Sequence, residues 1–240
     1  MKPRLDRLLV ERGLAESREK AQALIMAGEV LVGGQKASKP GQLVTPDAPI
    51  EVLVRLPYVS RGGLKLAAAL RHFAIDVGGK ICLDIGASTG GFTDALLQAG
   101  AARVHAVDVG AGQLAWSLRT DPRVVLQEGL NARELKPADI GEPVDFFSCD
   151  VSFISVTLIL PAAVPLLRPL GQMVILIKPQ FEVGKGQVGK GGIVRDPELH
   201  EAACQRVTHA VRELGFGTDI MDSPILGAEG NKEFLLYAHH

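Results

Sequence analysis

From residue 81 onward, apolar runs of strand length alternate with stretches of helical period, and few architectures accept that pattern. The strands are expected at 81–84, 103–108, 123–127, 144–149, 172–178, 217–221 and 234–238. Strands separated by crossover helices predict a mostly parallel, doubly wound α/β sheet covered by helices on both faces. Ligands of such sheets bind beyond the carboxyl ends of the strands. Asp84, Asp108, Asp150 and Lys178 stand at or just past those ends, each polar where its strand is apolar. Lys65 falls in the first turn of a helix that begins at Gly62-Gly63, and Glu233 immediately precedes the last strand. A lysine near a helix N-terminus opposes the helix dipole, so it sits more naturally there when carboxylates or anions hold it.

Composition narrows the class. A chain of 240 residues with 47% hydrophobic content has ample material for a packed core. The most apolar segment, 156–167, is too short to span a bilayer and is broken by Pro161 and Pro165, so a cytoplasmic protein without membrane contact is expected. Cys82, Cys149 and Cys204 lack metal-ligand spacing and lie in apolar runs, which predicts buried thiols and no zinc. The net charge of −1 hides an asymmetry: residues 1–62 carry ten Lys/Arg against seven Asp/Glu, +3, and the remainder sixteen against twenty, −4. So small an excess does not establish nucleic-acid binding by itself.

The basic N-terminal part has its own pattern. Leu5, Leu8 and Leu9 recur at helical spacing up to Gly13; Ser17 then caps a second helix with Ala21, Leu24 and Ile25, ending at Gly28. A hairpin follows, 30–32 returning through Gly33-Gly34 to Gln35 and Lys36, and a last strand is expected at 50–54. This α+β unit, residues 1–55, resembles the small RNA-binding αL module shared by a ribosomal small-subunit protein, some pseudouridine synthases and bacterial tyrosyl-tRNA synthetases. The resemblance rests on Arg4-Leu-Asp6, Gly13-Leu14, Ser17-Arg18, Ala21, Leu24-Ile25, Gly28, Val30 and Gly34. It implies phosphate contacts from Arg4, Arg18, Lys20, Lys36 and Lys39; solvated surface charge is the competing reading of each. Residues 56–59 form the expected linker, with Tyr58 at the junction, and 60–240 the second domain.

The turn after the first strand of that domain separates several nucleotide-binding designs. Asp84-x-Gly86-x-x-x-Gly90-Gly91 lacks the Lys-Ser/Thr of a phosphate loop and the G-x-G-x-x-G of a dinucleotide fingerprint. It resembles the first motif of S-adenosylmethionine-dependent methyltransferases, in which the glycines admit the methionine part of the cofactor. The resemblance implies a cofactor site from Asp84, Gly86, Ala87, Ser88, Thr89, Gly90, Gly91 and Phe92, with Asp150 beside it. Asp108 is then placed to accept both ribose hydroxyls, since a carboxylate takes two hydrogen bonds, and Asn131-Ala132 to meet adenine.

Longer strings point to one family. Residues 87–93 (ASTGGFT), 112–118 (GQLAWSL), 150–155 (DVSFIS) and 178–187 (KPQFEVGKGQ) resemble the TlyA/hemolysin A family over essentially the whole chain. The fold implied is a doubly wound, seven-stranded Rossmann-like methyltransferase sheet, FtsJ-like, behind the αL module. The activity implied is methylation of ribose 2′-hydroxyls, of cytidine, in ribosomal RNA or ribosomal subunits, with S-adenosyl-L-methionine as cofactor and no metal. The family's Lys-Asp-Lys-Glu tetrad falls on Lys65, Asp150, Lys178 and Glu233. Where TlyA carries a linker tryptophan, this chain has Tyr58. Lys178 has two compatible roles: accepting the hydroxyl proton, or stabilising the developing alkoxide as an ammonium. The glycine-rich segment 184–192, with Lys185 and Lys190, is expected to lack regular structure and to form a mobile loop beside the site that closes over RNA with its lysines on phosphates; an ordinary flexible connection is the competing reading. Competing readings are a non-catalytic RNA-binding or ribosome-assembly factor, which the intact tetrad opposes, and a small-molecule methyltransferase or membrane-active hemolysin, which the αL module opposes.

Overall fold

The computed structural model describes residues 2–53 and 57–240, except for the side chains of Lys185 and Ala228. The chain divides into two compact units, residues 1–56 and 57–240.

In the first unit, helices α1 (Leu5–Glu11) and α2 (Arg18–Met26) pack on a three-stranded sheet of β1 (Val30–Val32), β2 (Gln35–Lys36) and β3 (Ile50–Val52), in the order β2-β1-β3. Ser17 Oγ accepts the Lys20 N–H and caps α2. Gly33 and Gly34 both have positive φ, the conformation a two-residue hairpin needs. Leu5, Leu8, Leu9, Ala21, Ile25 and Val30 form the core of this unit. The third strand stops at Val52, short of the expected residue 54, and Val54 lies outside the described residues.

The second unit contains α3 (Gly62–His72), β4 (Ile81–Ile85), α4 (Gly91–Gln98), β5 (Arg103–Asp108), α5 (Trp116–Arg119), β6 (Val124–Glu128), α6 (Pro137–Ile140), β7 (Val144–Cys149), α7 (Leu160–Ala163), β8 (Leu167–Ile177), α8 (Pro179–Glu182), α9 (Pro197–Glu213), β9 (Gly217–Asp222) and β10 (Phe234–His239). The sheet order is β6-β5-β4-β7-β8-β10-β9. β5, β6, β7 and β8 extend the parallel sheet from β4, whereas β10 runs antiparallel to both β8 and β9. Alternate strand residues feed opposite faces: Met173, Ile175 and Ile177 enter one core with Val207 and Val211 of α9, while Val174 and Leu176 enter the other with Leu66 of α3 and Leu96 of α4.

Two further expectations change. β8 begins five residues before the expected Gln172, because Leu167 pairs with Val144 and the irregularity carried by Pro169 and Leu170 (φ 65°) is absorbed as a register shift. Residues 57–59, read as linker, belong to the second unit. Val59 N–H donates to Asp94 Oδ2 at 2.8 Å, Gln98 Nε2 donates to Pro57 O at 2.8 Å, and Tyr58 packs against Gly63. Leu56 lies outside the described residues.

Candidate active site

The reversal of β10 assembles the site. Phe234 pairs with Ile177, so the residue before β10 and the residue after β8 meet at one edge of the sheet. Glu233 and Lys178 therefore lie beside Asp150, which follows β7, and α3 brings Lys65 over them. All four line a single cavity of about 430 Å³. They form two ion pairs: Lys65 Nζ donates to Glu233 Oε2 at 2.5 Å, and Lys178 Nζ lies 2.6 Å from Asp150 Oδ1. The second contact has the distance of an ion pair without the angle of a hydrogen bond; the aligned bond of Lys178 goes to Ser152 Oγ at 2.8 Å. Lys65 is 8% exposed and Glu233 2% exposed, so neither is incidental surface charge.

A second cavity of about 490 Å³ adjoins the first and shares Gly86, Ser88, Asp150, Ser152 and Phe153 with it. Asp108, Asn131 and Ala132 line it, with apolar walls from Val109, Leu130, Ile154 and Ile159. The Asp108 carboxylate is fixed by backbone N–H groups, Oδ2 by Ser88 and Oδ1 by Gly110, both at 2.7 Å. Each oxygen keeps a further lone pair, which suits a vicinal diol, and the apolar walls suit a purine. The residues present therefore fit S-adenosylmethionine. Asn131 also caps the turn 132–134, accepting the Arg133 N–H.

Gly86, Ala87, Ser88, Thr89, Gly91 and Phe92 line the first cavity, whereas Asp84 and Gly90 line neither. Asp84 is 0% exposed and accepts the hydroxyls of Thr93 at 2.7 Å and Ser148 at 3.0 Å. It ties β4 to α4 and β7, and burial pushes its carboxyl up to about 7. Gly90 has a φ of 97°, and a side chain there would overlap Leu118 and Leu114, which accounts for those two leucines of the 112–118 string. At Gly86 a Cβ would strike the Asp150 carbonyl, so the glycine lets the loops after β4 and β7 touch.

Beyond the pairing of the strand-end residues Lys178 and Asp150, sequence reasoning missed a ladder between the loops after β7 and β8. Its first rung is Lys178 with Asp150 and Ser152; its second is Phe181 against Phe153, with ring centroids 5.2 Å apart. The third is Glu182, 4% exposed, accepting Ser155 Oγ–H at 2.6 Å and Val156 N–H at 2.8 Å. Burial raises the Glu182 carboxyl above its ordinary range. Phe153 holds a left-handed backbone, φ 66°, and is 90% exposed at the shared edge of the two cavities. The strings 150–155 and 178–187 face one another here. Ser60, Arg61 and Gln180 also line the first cavity, and Gln113 the second.

The segment 184–192 is irregular as expected but holds two 3-10 turns, 185–187 and 190–192. The Asn231 side chain bonds Val194 N–H and Gly192 O at 3.0 Å each, which ties this segment to the approach to β10. Cys82 and Cys149 are buried and Cys204 half-buried; burial raises all three thiols, Cys82 to about 12 and Cys204 to about 11. None is a poised nucleophile. In the first unit Arg4 and Arg18 converge on Asp6, while Lys20, Lys36 and Lys39 are exposed.

The FtsJ-like methyltransferase family matches residues 58–240 and the S4 domain matches residues 3–50. The 16S/23S rRNA (cytidine-2'-O)-methyltransferase TlyA of Mycobacterium tuberculosis is 50% identical over 237 residues, covering 98% of this chain and 88% of that one. Hemolysin A of Brachyspira hyodysenteriae is 45% identical, covering 98% of each chain. A solved structure described as "Putative hemolysin from Streptococcus thermophilus" superposes with a TM-score of 0.76 at 46% identity, covering 99% of this chain and 88% of that one. Among the described residues no helix is long and apolar enough to cross a membrane. An S4 domain followed by an FtsJ-like domain, with relatives of this identity along nearly the full length, makes the chain a member of the TlyA/hemolysin A family of methyltransferases.

Proposed function

We propose that this protein transfers a methyl group from S-adenosylmethionine to the ribose 2′-hydroxyl of cytidine in ribosomal RNA. The observation that carries the reading is the convergence of Lys65, Asp150, Lys178 and Glu233 in a cavity continuous with the one that Asp108 lines. The identity with a 16S/23S rRNA (cytidine-2'-O)-methyltransferase supports the substrate. When bound, S-adenosylmethionine supplies a methyl group already activated on a sulfonium, so the protein's task is alignment and management of one hydroxyl proton. Asp108 accepts the cofactor ribose hydroxyls. Lys178, anchored by Asp150 and Ser152, addresses the attacking oxygen, and Glu233 fixes Lys65 on the other side of the cavity. Residues 1–55 recruit RNA through Arg4, Arg18, Lys20, Lys36 and Lys39, and the second unit binds cofactor and catalyses.

The test is mapping of 2′-O-methyl groups on 16S and 23S rRNA incubated with protein and cofactor. Lys178→Ala should abolish transfer while leaving cofactor affinity unchanged; transfer near the wild-type rate would remove Lys178 from the chemistry. Lys178→Arg keeps the charge but cannot deprotonate. Substantial transfer by that variant would exclude lysine as an obligatory base and assign it electrostatic stabilisation of the alkoxide.

A further inference from the structure

Asp6 has no solvent exposure, yet the side chains that surround it are half in water. Its Oδ1 accepts Arg4 Nε at 3.0 Å; its Oδ2 accepts Arg4 Nη2 at 2.9 Å, Arg18 Nε at 3.0 Å and Gln22 Nε2 at 3.0 Å. One guanidinium would be enough to neutralise a buried carboxylate. Here two are gathered on it, with side chains 43% and 46% exposed, and the cluster keeps a net charge of +1. The carboxylate uses Nε of both arginines and Nη2 of Arg4. Arg4 Nη1 and both terminal nitrogens of Arg18 donate to no protein acceptor among the described residues. Arg4 also lies against Gly41, whose turn is fastened to α1 by Asp6 N–H to Pro40 O at 3.1 Å and Leu5 N–H to Gln42 O at 2.8 Å. Arginine ordinarily loses rotamer freedom when it grips an anion; here that ordering has already occurred in the free protein.

We propose that Asp6 is a positioning residue that holds Arg4 and Arg18 as one preformed guanidinium clamp, whose outward N–H groups take a phosphodiester of the RNA backbone. The inference rests on the reading of residues 1–55 as the RNA-recruiting unit and adds how that unit recognises a phosphate: by fixed donor geometry as well as by charge. Lysine cannot replace arginine in such a clamp, because it keeps the charge and loses both the fork and the Nε anchor.

The experiment measures binding of in vitro-transcribed 16S and 23S rRNA by the full-length protein, with cofactor affinity monitored as a control. Arg4→Lys and Arg18→Lys should each raise Kd about tenfold although net charge is unchanged, and the double variant should lose little more than either single one, because half a clamp is no clamp. Asp6→Asn should raise Kd similarly with arginines at 4 and 18, and have no further effect when both are lysine. A purely structural Asp6 would lower affinity equally in both backgrounds, which would overturn the positioning role. If Asp6→Asn unfolds the first unit, the coupling between positions 4 and 18 decides. Unchanged affinity in the lysine variants, or additive losses, would overturn the clamp while leaving RNA recruitment standing. Failure of the wild type to bind either rRNA would instead overturn the recruiting role itself.

Discussion

Asp6 and Asp84 are both fully enclosed, but their proton affinities move in opposite directions because their donors differ. The Arg4 guanidinium, helped by Gln22 and Arg18, holds the Asp6 carboxyl well below the usual carboxylate range. Asp84 receives two neutral hydroxyls, and desolvation outweighs them, carrying it up to about 7. The pH consequences are opposite too. With a folded value above the unfolded one near 3.9, the contribution of Asp84 is full below about pH 4 and is lost as pH rises through about 7, a difference on the order of a few kcal/mol. The contribution of Asp6 is present above about pH 4 and is lost only as pH falls toward its depressed folded value. Denaturant unfolding of Asp84→Asn should therefore show the variant gaining on the wild type between pH 5 and pH 8. A gap that stays constant across that window would show that Asp84 does not titrate there. At Asp108 the test is calorimetric: Asp108→Ala should weaken S-adenosylmethionine binding by roughly 1.5 to 3 kcal/mol through the lost charged acceptor. Unchanged affinity would take Asp108 out of the cofactor site.

Loops that follow neighbouring parallel strands need something to fix their spacing, and here Glu182 and Ser155 do so one turn away from the Lys178–Asp150 pair. Glu182→Ala leaves the Ser155 hydroxyl and the Val156 N–H without their acceptor and frees the Asp150 loop to shift. Turnover should fall about tenfold to a hundredfold with cofactor affinity nearly unchanged, since displacements of about 1 Å cost that much in alignment. Equal loss of cofactor binding would place Glu182 in general folding instead. Strand identity was legible in the sequence because apolar period and length survive without any tertiary knowledge, and the polar residues at the strand ends followed from it. The ladder was not legible, because it depends on loop backbones such as the left-handed Phe153 that no periodicity encodes. Asp84 was read as a cofactor residue for a related reason: acid-x-Gly places it at the strand end, but only the packed structure shows Thr93 and Ser148 closing over it. Residues 57–59 looked like linker because Pro57 breaks the strand pattern, while their ties to Asp94 and Gln98 span 35 and 41 residues.

The two units have separate hydrophobic cores, so their stabilities and functions should be separable. A chain of residues 57–240, starting at Pro57 so that Gln98 keeps its partner, should bind S-adenosylmethionine like the full protein and methylate rRNA poorly. Binding of rRNA by the full protein should weaken steeply with salt, as phosphate contacts release counterions. Full methylation by residues 57–240 at low enzyme concentration would contradict the division of labour. Within the second unit, β9 pairs only with β10, and β10 inserts between β9 and β8. This order leads us to expect that β9 finds its seat only on β10 and that the β9–β10 pair docks on β8 after the parallel strands have paired. Glu233 immediately precedes β10, so Lys65 is expected to gain this counter-ion only when β10 docks on β8. The strands that carry Asp84 and Asp108 and lead into Asp150 belong to the part expected to form earlier. A partly folded chain would thus own most of its cofactor cavity but not a finished catalytic centre, and hydrogen exchange should find the β9–β10 edge opening before β4, β5 and β7.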